Sequence, residues 1–187
     1  MAPYYTRCPP RGRVSALGRP CGTDMKRLII VYHTMTGAAE QLATAAHVAA
    51  RDEAGCSTDL LTAAKAGFAD VLAADGYLFV TPENLATMAG RMKDFFDRIY
   101  YDVLDKINGR PYAAIIAAGT DGEGAARQIQ RIATGLRLKE VAPPIVVRNG
   151  AQTPEQIMAP KQVPEVDLTR ARELGAALAA GLASGVF

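Results

Sequence analysis

Short apolar runs alternate along the chain with segments whose apolar residues recur at helical spacing, and this rhythm begins at residue 25. The runs Leu28 to Tyr32, Ser57 to Leu61, Gly76 to Val80, Tyr112 to Ala118 and Pro144 to Val147 have strand length. Five strands separated by helices predict an α/β fold, doubly wound around a parallel sheet. Ligands of such folds collect in the crevice beyond the strand C-terminal ends.

The clearest helix follows the third strand. Met88, Met92, Phe95, Phe96 and Ile99 recur at i, i+4, i+7, i+8 and i+11, with Arg91, Lys93, Asp94, Asp97 and Arg98 on the other side. This stripe reads as core packing. Residues 37 to 52 form an alanine-rich helix, residues 124 to 135 turn Ile129 and Ile132 inward, and residues 168 to 183 use Ala171, Leu174, Leu178 and Leu182. Between Arg148 and Asp167 runs a longer connection with Pro154, Pro160 and Pro164. A loop of that length usually has a task, such as covering a ligand or meeting a second subunit.

Composition adds few constraints. The chain has 187 residues, 49% hydrophobic and 21% charged, enough for one well-buried core. Residues 1–24 carry four arginines against Asp24, a charge of +3, so the net +2 leaves −1 for residues 25–187. That near-neutral part argues against nucleic acid as a partner and against a strongly charged electrostatic carrier. The first 24 residues also hold four of the 11 prolines and no periodicity, which predicts a disordered N-terminal extension before a domain over 25–187. No apolar run is long enough to cross a bilayer, so no membrane partner is expected. Cys8, Cys21 and Cys56 are odd in number and lack metal-ligand spacing. The expectation is a reducing cytoplasm, no metal, and Cys56 as a small buried hydrophobe.

Three segments after strands carry candidate chemistry. In His33-Thr34-Met35-Thr36-Gly37-Ala38-Ala39-Glu40, a helix N-terminus offers free N–H groups to a phosphate, with Thr34 and Thr36 adding hydroxyls. The same threonines also serve as ordinary helix caps. In Thr81-Pro82-Glu83-Asn84-Leu85-Ala86-Thr87-Met88, Pro82 is expected to end the strand, leaving backbone groups free to hold a flat polar ring by its edge. The alternative is a plain connection with Asn84 or Thr87 as N-cap of the following helix. Gly119-Thr120-Asp121-Gly122-Glu123-Gly124 allows close backbone approach to a planar ligand, or simple punctuation.

Together these segments bring a family into view. Thr34-Met35-Thr36-Gly37 resembles the phosphate loop of flavodoxins and related flavin reductases, Ser/Thr-x-Thr-Gly-x-Thr. Thr81-Pro82-Glu83, followed by Gly90-Arg91-Met92-Lys93-Asp94-Phe95-Phe96-Asp97-Arg98, is similar to the loop and helix of NADPH-dependent FMN reductases and WrbA-type quinone reductases. The resemblance implies a flavodoxin-like fold with strand order 2-1-3-4-5 and helices on both faces. It implies FMN, with phosphate on Thr34, Met35, Thr36, Gly37, Ala38 and Ala39. Ring or ribityl contacts then fall to Pro82, Glu83, Asn84, Leu85, Ala86, Thr87 and Met88, and the other flavin edge to Gly119, Thr120, Asp121 and Gly122. NAD(P)H is the implied donor, a small molecule the acceptor, and a dimer or tetramer the implied assembly.

Two departures stand out. Ala39 replaces the last hydroxyl of the phosphate motif, and positions 84–86 read Asn-Leu-Ala without the aromatic and glycine of many relatives. A phosphoacceptor receiver domain is ruled out, since it requires an aspartate where this chain has Val80-Thr81-Pro82. His33 and His47 read as structural, and no catalytic acid or base is assigned. The functional expectation is an FMN-dependent NAD(P)H oxidoreductase acting on a quinone, flavin or similar acceptor. The alternatives are a flavodoxin-type electron carrier and an interaction protein on the same scaffold with weak cofactor binding.

Overall fold

A computed structural model describes residues 25–187, so the expected extension at 1–24 lies outside the described residues. Strand β1 (Lys26–Tyr32) is followed by α1 (Ala38–Arg51), β2 (Cys56–Thr62), α2 (Phe68–Ala73), β3 (Gly76–Asn84) and β4 (Thr87–Met88). Then come α3 (Gly90–Val103), β5 (Pro111–Ala118), α4 (Glu123–Gly135), β6 (Lys139–Glu140), β7 (Ile145–Arg148), α5 (Pro154–Met158) and α6 (Glu165–Ser184).

The five long strands lie parallel in the order β2-β1-β3-β5-β7, the expected 2-1-3-4-5. The difference from the expected sheet lies in two short additions. Strand β6 shares the outer edge of β5 with β7, pairing Pro111 and Tyr112 while β7 pairs Ile115 to Ala118. Strand β4 folds back antiparallel on the end of β3.

Each central strand is buried on both faces, which is why its sequence is a continuous apolar run. Leu28 and Ile30 of β1, Leu78 and Val80 of β3, and Ala113 and Ile115 of β5 meet the apolar stripes of α1 and α6. Their neighbours Ile29, Val31, Tyr77, Phe79 and Ile116 meet α3 and α4. There the stripe Met92, Phe95, Phe96 and Ile99 packs as its spacing predicts, with the Phe79 and Phe96 rings 4.9 Å apart in an edge-to-face contact. Cys56 opens β2 as a buried residue, and burial pushes its thiol pKa up.

One expectation fails at the third strand. Pro82 does not end it: β3 runs on to Asn84, with Pro82 in register with Ala117. Pairing continues past it: the Pro82 carbonyl accepts from the Ala89 N–H at 3.1 Å, and Glu83 pairs with Met88. Consequently α3 begins at Gly90 with Ala89 as N-cap, and Asn84 and Thr87 cap nothing. Among the described residues no helix is long and apolar enough to cross a membrane.

Candidate functional site

Beyond the C-terminal ends of β1, β3 and β5 lies a cleft of about 590 Å³, within the range of small-molecule sites. Its first wall is the loop after β1. Gly37 is the N-cap of α1 and sits at φ 91°, a left-handed conformation that a side chain would strain. The Gly37 N–H donates to Thr34 Oγ at 3.0 Å, which leaves the Thr34 hydroxyl proton free for another acceptor. Among the described residues no side chain accepts from the first-turn N–H groups of α1, where Ala38 and Ala39 line the cleft.

The second helix N-terminus at the crevice is closed. Glu83 projects from β3 so that its carboxylate accepts from the Gly122 N–H at 2.6 Å and the Ala125 N–H at 3.2 Å. A carboxylate at these positions satisfies two orphan donors of α4 and complements the positive end of its dipole. The two helices therefore differ in what they offer an anion. Of these two, α1 has the open terminus among the described residues.

Residues Leu85 and Ala86 form the two-residue turn between β3 and β4, with φ of 51° and 60°. Such a turn favours Asn-Gly, and non-glycine residues there carry strain. It persists because the hairpin is held from outside. The Glu83 carboxylate anchors its base, the Met88 N–H donates to Gln128 Oε1 at 2.9 Å, and the Ala86 carbonyl lies where any side chain on Gly124 would stand. Leu85 is consequently 99% exposed at the cleft rim.

The remaining wall comes from the loop after β5 and from the connection that follows β7. Ala117, Ala118, Gly119 and Thr120 line the cleft with Asn149, Ala151, Ile157, Met158 and Lys161. The sequence marked the 148–167 connection by its length but did not single out these five residues. Met35, Leu85, Ile157 and Met158, from three separate segments, are all exposed apolar side chains around one cleft. Clustering of this kind marks a binding surface.

Of the residues expected at the site, Thr34, Met35, Thr36, Ala38, Ala39, Pro82 to Ala86, Gly119 and Thr120 line the cleft. Gly37 shapes the loop without lining it. Thr87 and Met88 belong to β4, where Met88 is buried in the core. Gly122 supports the wall through Glu83, and the Asp121 carbonyl accepts from Arg148 Nε at 2.7 Å. Among the described residues Lys161 is the sole basic one lining the cleft, and its ammonium is directed to the carbonyls of Gln156, Ile157 and Ala159. His33 does not line the cleft, and burial, aided by the nearby Arg91, lowers its pKa. It is therefore neutral at pH 7 and supplies no positive charge.

These features fit FMN: an open helix terminus for a phosphate, and an apolar slot for a planar ring. The comparisons with known proteins agree with that class of ligand. The chain is 31% identical to a flavodoxin of Aquifex aeolicus (strain VF5), a match over 54% of each protein. It is 30% identical to an NAD(P)H dehydrogenase (quinone) of Acidithiobacillus ferrooxidans (strain ATCC 53993 / BNL-5-31), covering 40% of this chain and 47% of that protein. The chain thus spans about half the length of the curated relatives it matches. Among solved structures, an archaeal flavodoxin superposes with a TM-score of 0.67 at 16% identity, over 83% of this chain and 98% of the other. A WrbA-like flavodoxin from Agrobacterium tumefaciens gives 0.66 at 17% identity, over 86% and 98%. At such identities the likeness establishes the flavodoxin-like fold. The profile of the NADPH-dependent FMN reductase family matches residues 47–152, which takes in the second and third loops and begins after the first. Matched over more than half its length, with the cleft loops of β3 and β5 inside the match, the chain belongs to the NADPH-dependent FMN reductase family.

Proposed function

We propose that this protein is an FMN-dependent enzyme that uses NAD(P)H to reduce a quinone, a flavin or a similar small acceptor. The observation that carries the reading is the asymmetry of the cleft: α1 open at one end, α4 closed by Glu83, and exposed apolar side chains around the slot between them. In this reading the N–H groups of Ala38 and Ala39 and the hydroxyls of Thr34 and Thr36 hold the phosphate. Pro82 to Ala86 and Gly119 to Thr120 flank the ring, with Ile157 and Met158 covering it. Bound there, FMN supplies hydride and electron transfer. The protein's part is to bind, orient and exclude water. Met35 and Leu85 at the rim offer apolar surface to the nicotinamide and then to the acceptor.

The test is direct. The purified protein should be yellow, release FMN on denaturation, and consume NADH or NADPH with a quinone or flavin acceptor. Protein loaded with FMN that consumes neither donor with any such acceptor refutes the enzyme. The likeness to flavodoxins favours one second reading, a carrier of single electrons between proteins. A redox titration with a stabilised one-electron state, joined to inertness towards NAD(P)H, would select it. A cytoplasmic location and a homodimer or homotetramer belong to the main proposal. The 84% exposed Tyr101, stacked edge-on against Tyr100 on α3, supports an assembly surface, which light scattering would test.

A further inference from the structure

Helix α5 has five residues, none of them buried. Its shape comes from caps at both ends. Thr153 Oγ1 accepts from the Gln156 N–H, Gln156 Oε1 accepts from the N–H groups of Gln152 and Thr153, and Lys161 Nζ donates to three carbonyls at the other end. An element so formed but unburied takes its orientation from its tethers. On one side the Gly150 N–H donates to the Gly119 carbonyl at 2.8 Å. On the other, the tether is Gln41 of α1.

Gln41 Nε2 donates to the Lys161 carbonyl at 2.7 Å and to the Gly37 carbonyl at 3.1 Å, while its Oε1 accepts from the Val163 N–H at 3.2 Å. Two carbonyls on one side and an N–H on the other admit a single amide orientation. The Lys161 N–H completes the link by donating to the Thr36 carbonyl at 2.8 Å. One side chain thus joins the loop after β1 to the segment that carries Ile157 and Met158, across 120 residues of sequence. Gln41 itself does not line the cleft.

We infer that Gln41 is a positioning residue that couples the Thr34–Gly37 loop to the 151–163 strap, so that a contact at the phosphate end of the cleft sets Ile157 and Met158 over the ring end. The ligand half of this inference rests on the flavin reading given above. The clasp is a property of the free protein.

Two readouts test it. In the full chain without flavin, Gln41→Ala should raise amide hydrogen exchange across 151–163 about three- to tenfold, as the loss of one or two neutral hydrogen bonds would. The central strands should keep their protection. Riboflavin, which has the ring and no phosphate, is the second probe, and Gln41→Ala should weaken its binding by a similar factor. Ile157→Ala with Met158→Ala leaves Gln41 in place, and its effect on riboflavin should shrink in the Gln41→Ala background. Unchanged exchange in the strap overturns the clasp. Weakened FMN with unchanged riboflavin, or additive losses in the combined variant, overturns the coupling. If the unaltered protein binds neither FMN nor riboflavin, the flavin reading fails, and the exchange result still decides the clasp.

Discussion

Replacing Glu83 tests whether the cleft wall is held as described. Glu83→Ala removes two acceptors from the N-terminus of α4, at 2.6 and 3.2 Å, and leaves both N–H groups without a side-chain partner. Loss of a helix cap costs about 0.5–2 kcal/mol, and loss of a carboxylate at the positive end of a helix dipole costs about 0.3–1 kcal/mol more. An opposing effect enters because the same change frees the hairpin. Leu85 and Ala86 each hold a left-handed conformation that costs about 1–2 kcal/mol, and a detached turn can relax part of it. The net expectation is a destabilisation of about 1–2 kcal/mol, or about 2–8 °C in Tm for a domain of this size. Glu83→Gln keeps one acceptor and loses the charge, so it should fall between the two. Urea denaturation followed by circular dichroism is the suitable assay, with the midpoint lowered and the slope m unchanged. Should the urea midpoints of Glu83→Ala and the unaltered protein coincide, Glu83 is not what closes α4, and the asymmetry of the two helix termini loses its basis.

Further outcomes follow from the same geometry. Leu85→Asn with Ala86→Gly supplies the residues this turn prefers and should stabilise the protein by about 1 kcal/mol, read as a raised Tm; a lowered Tm would mean the turn carries no strain. Ala39→Ser restores a hydroxyl at the phosphate end of the cleft and should tighten FMN about three- to tenfold in a fluorescence titration, while leaving riboflavin unchanged. His33 and His47 both have pKa values lowered from 6.5, by burial first and then by Arg91 and Arg51 respectively. The unfolded chain therefore binds more protons between the folded value and 6.5, so the stability these groups confer is present above pH 6.5 and lost as pH falls below it. Melting curves from pH 7.5 to 5 should show that decline, and an equal slope in a His33→Gln, His47→Gln double variant would refute the assignment.

Local pattern was sufficient for the frame of the molecule. Runs such as Leu28 to Tyr32 and Tyr112 to Ala118 are apolar because both faces of a central parallel strand are covered, and that signal is written in consecutive residues. The Met92 to Ile99 stripe likewise reports its own buried face. Once strands alternate with helices, the crevice must lie at the strand C-terminal ends, so the three loops were legible as neighbours.

What the chain alone did not disclose are the interactions between distant residues. Nothing around Glu83 says that its carboxylate caps a helix 39 residues onward, and nothing around Gln41 says that it grips the backbone of Lys161. The continuation of β3 through Pro82 depends on its pairing with β5 and β4, which the local sequence does not mark. Ile157 and Met158 sit in a segment without a buried face, so no periodicity marks them; their place over the cleft comes from tethers at its two ends. Consecutive residues were enough for the five long strands and for α1, α3, α4 and α6, because burial leaves a local imprint; the short α2, β4, β6 and α5 carry little of it. The tertiary structure alone decided which helix terminus stays open and what covers the slot, because single polar groups are matched through space and leave no such imprint.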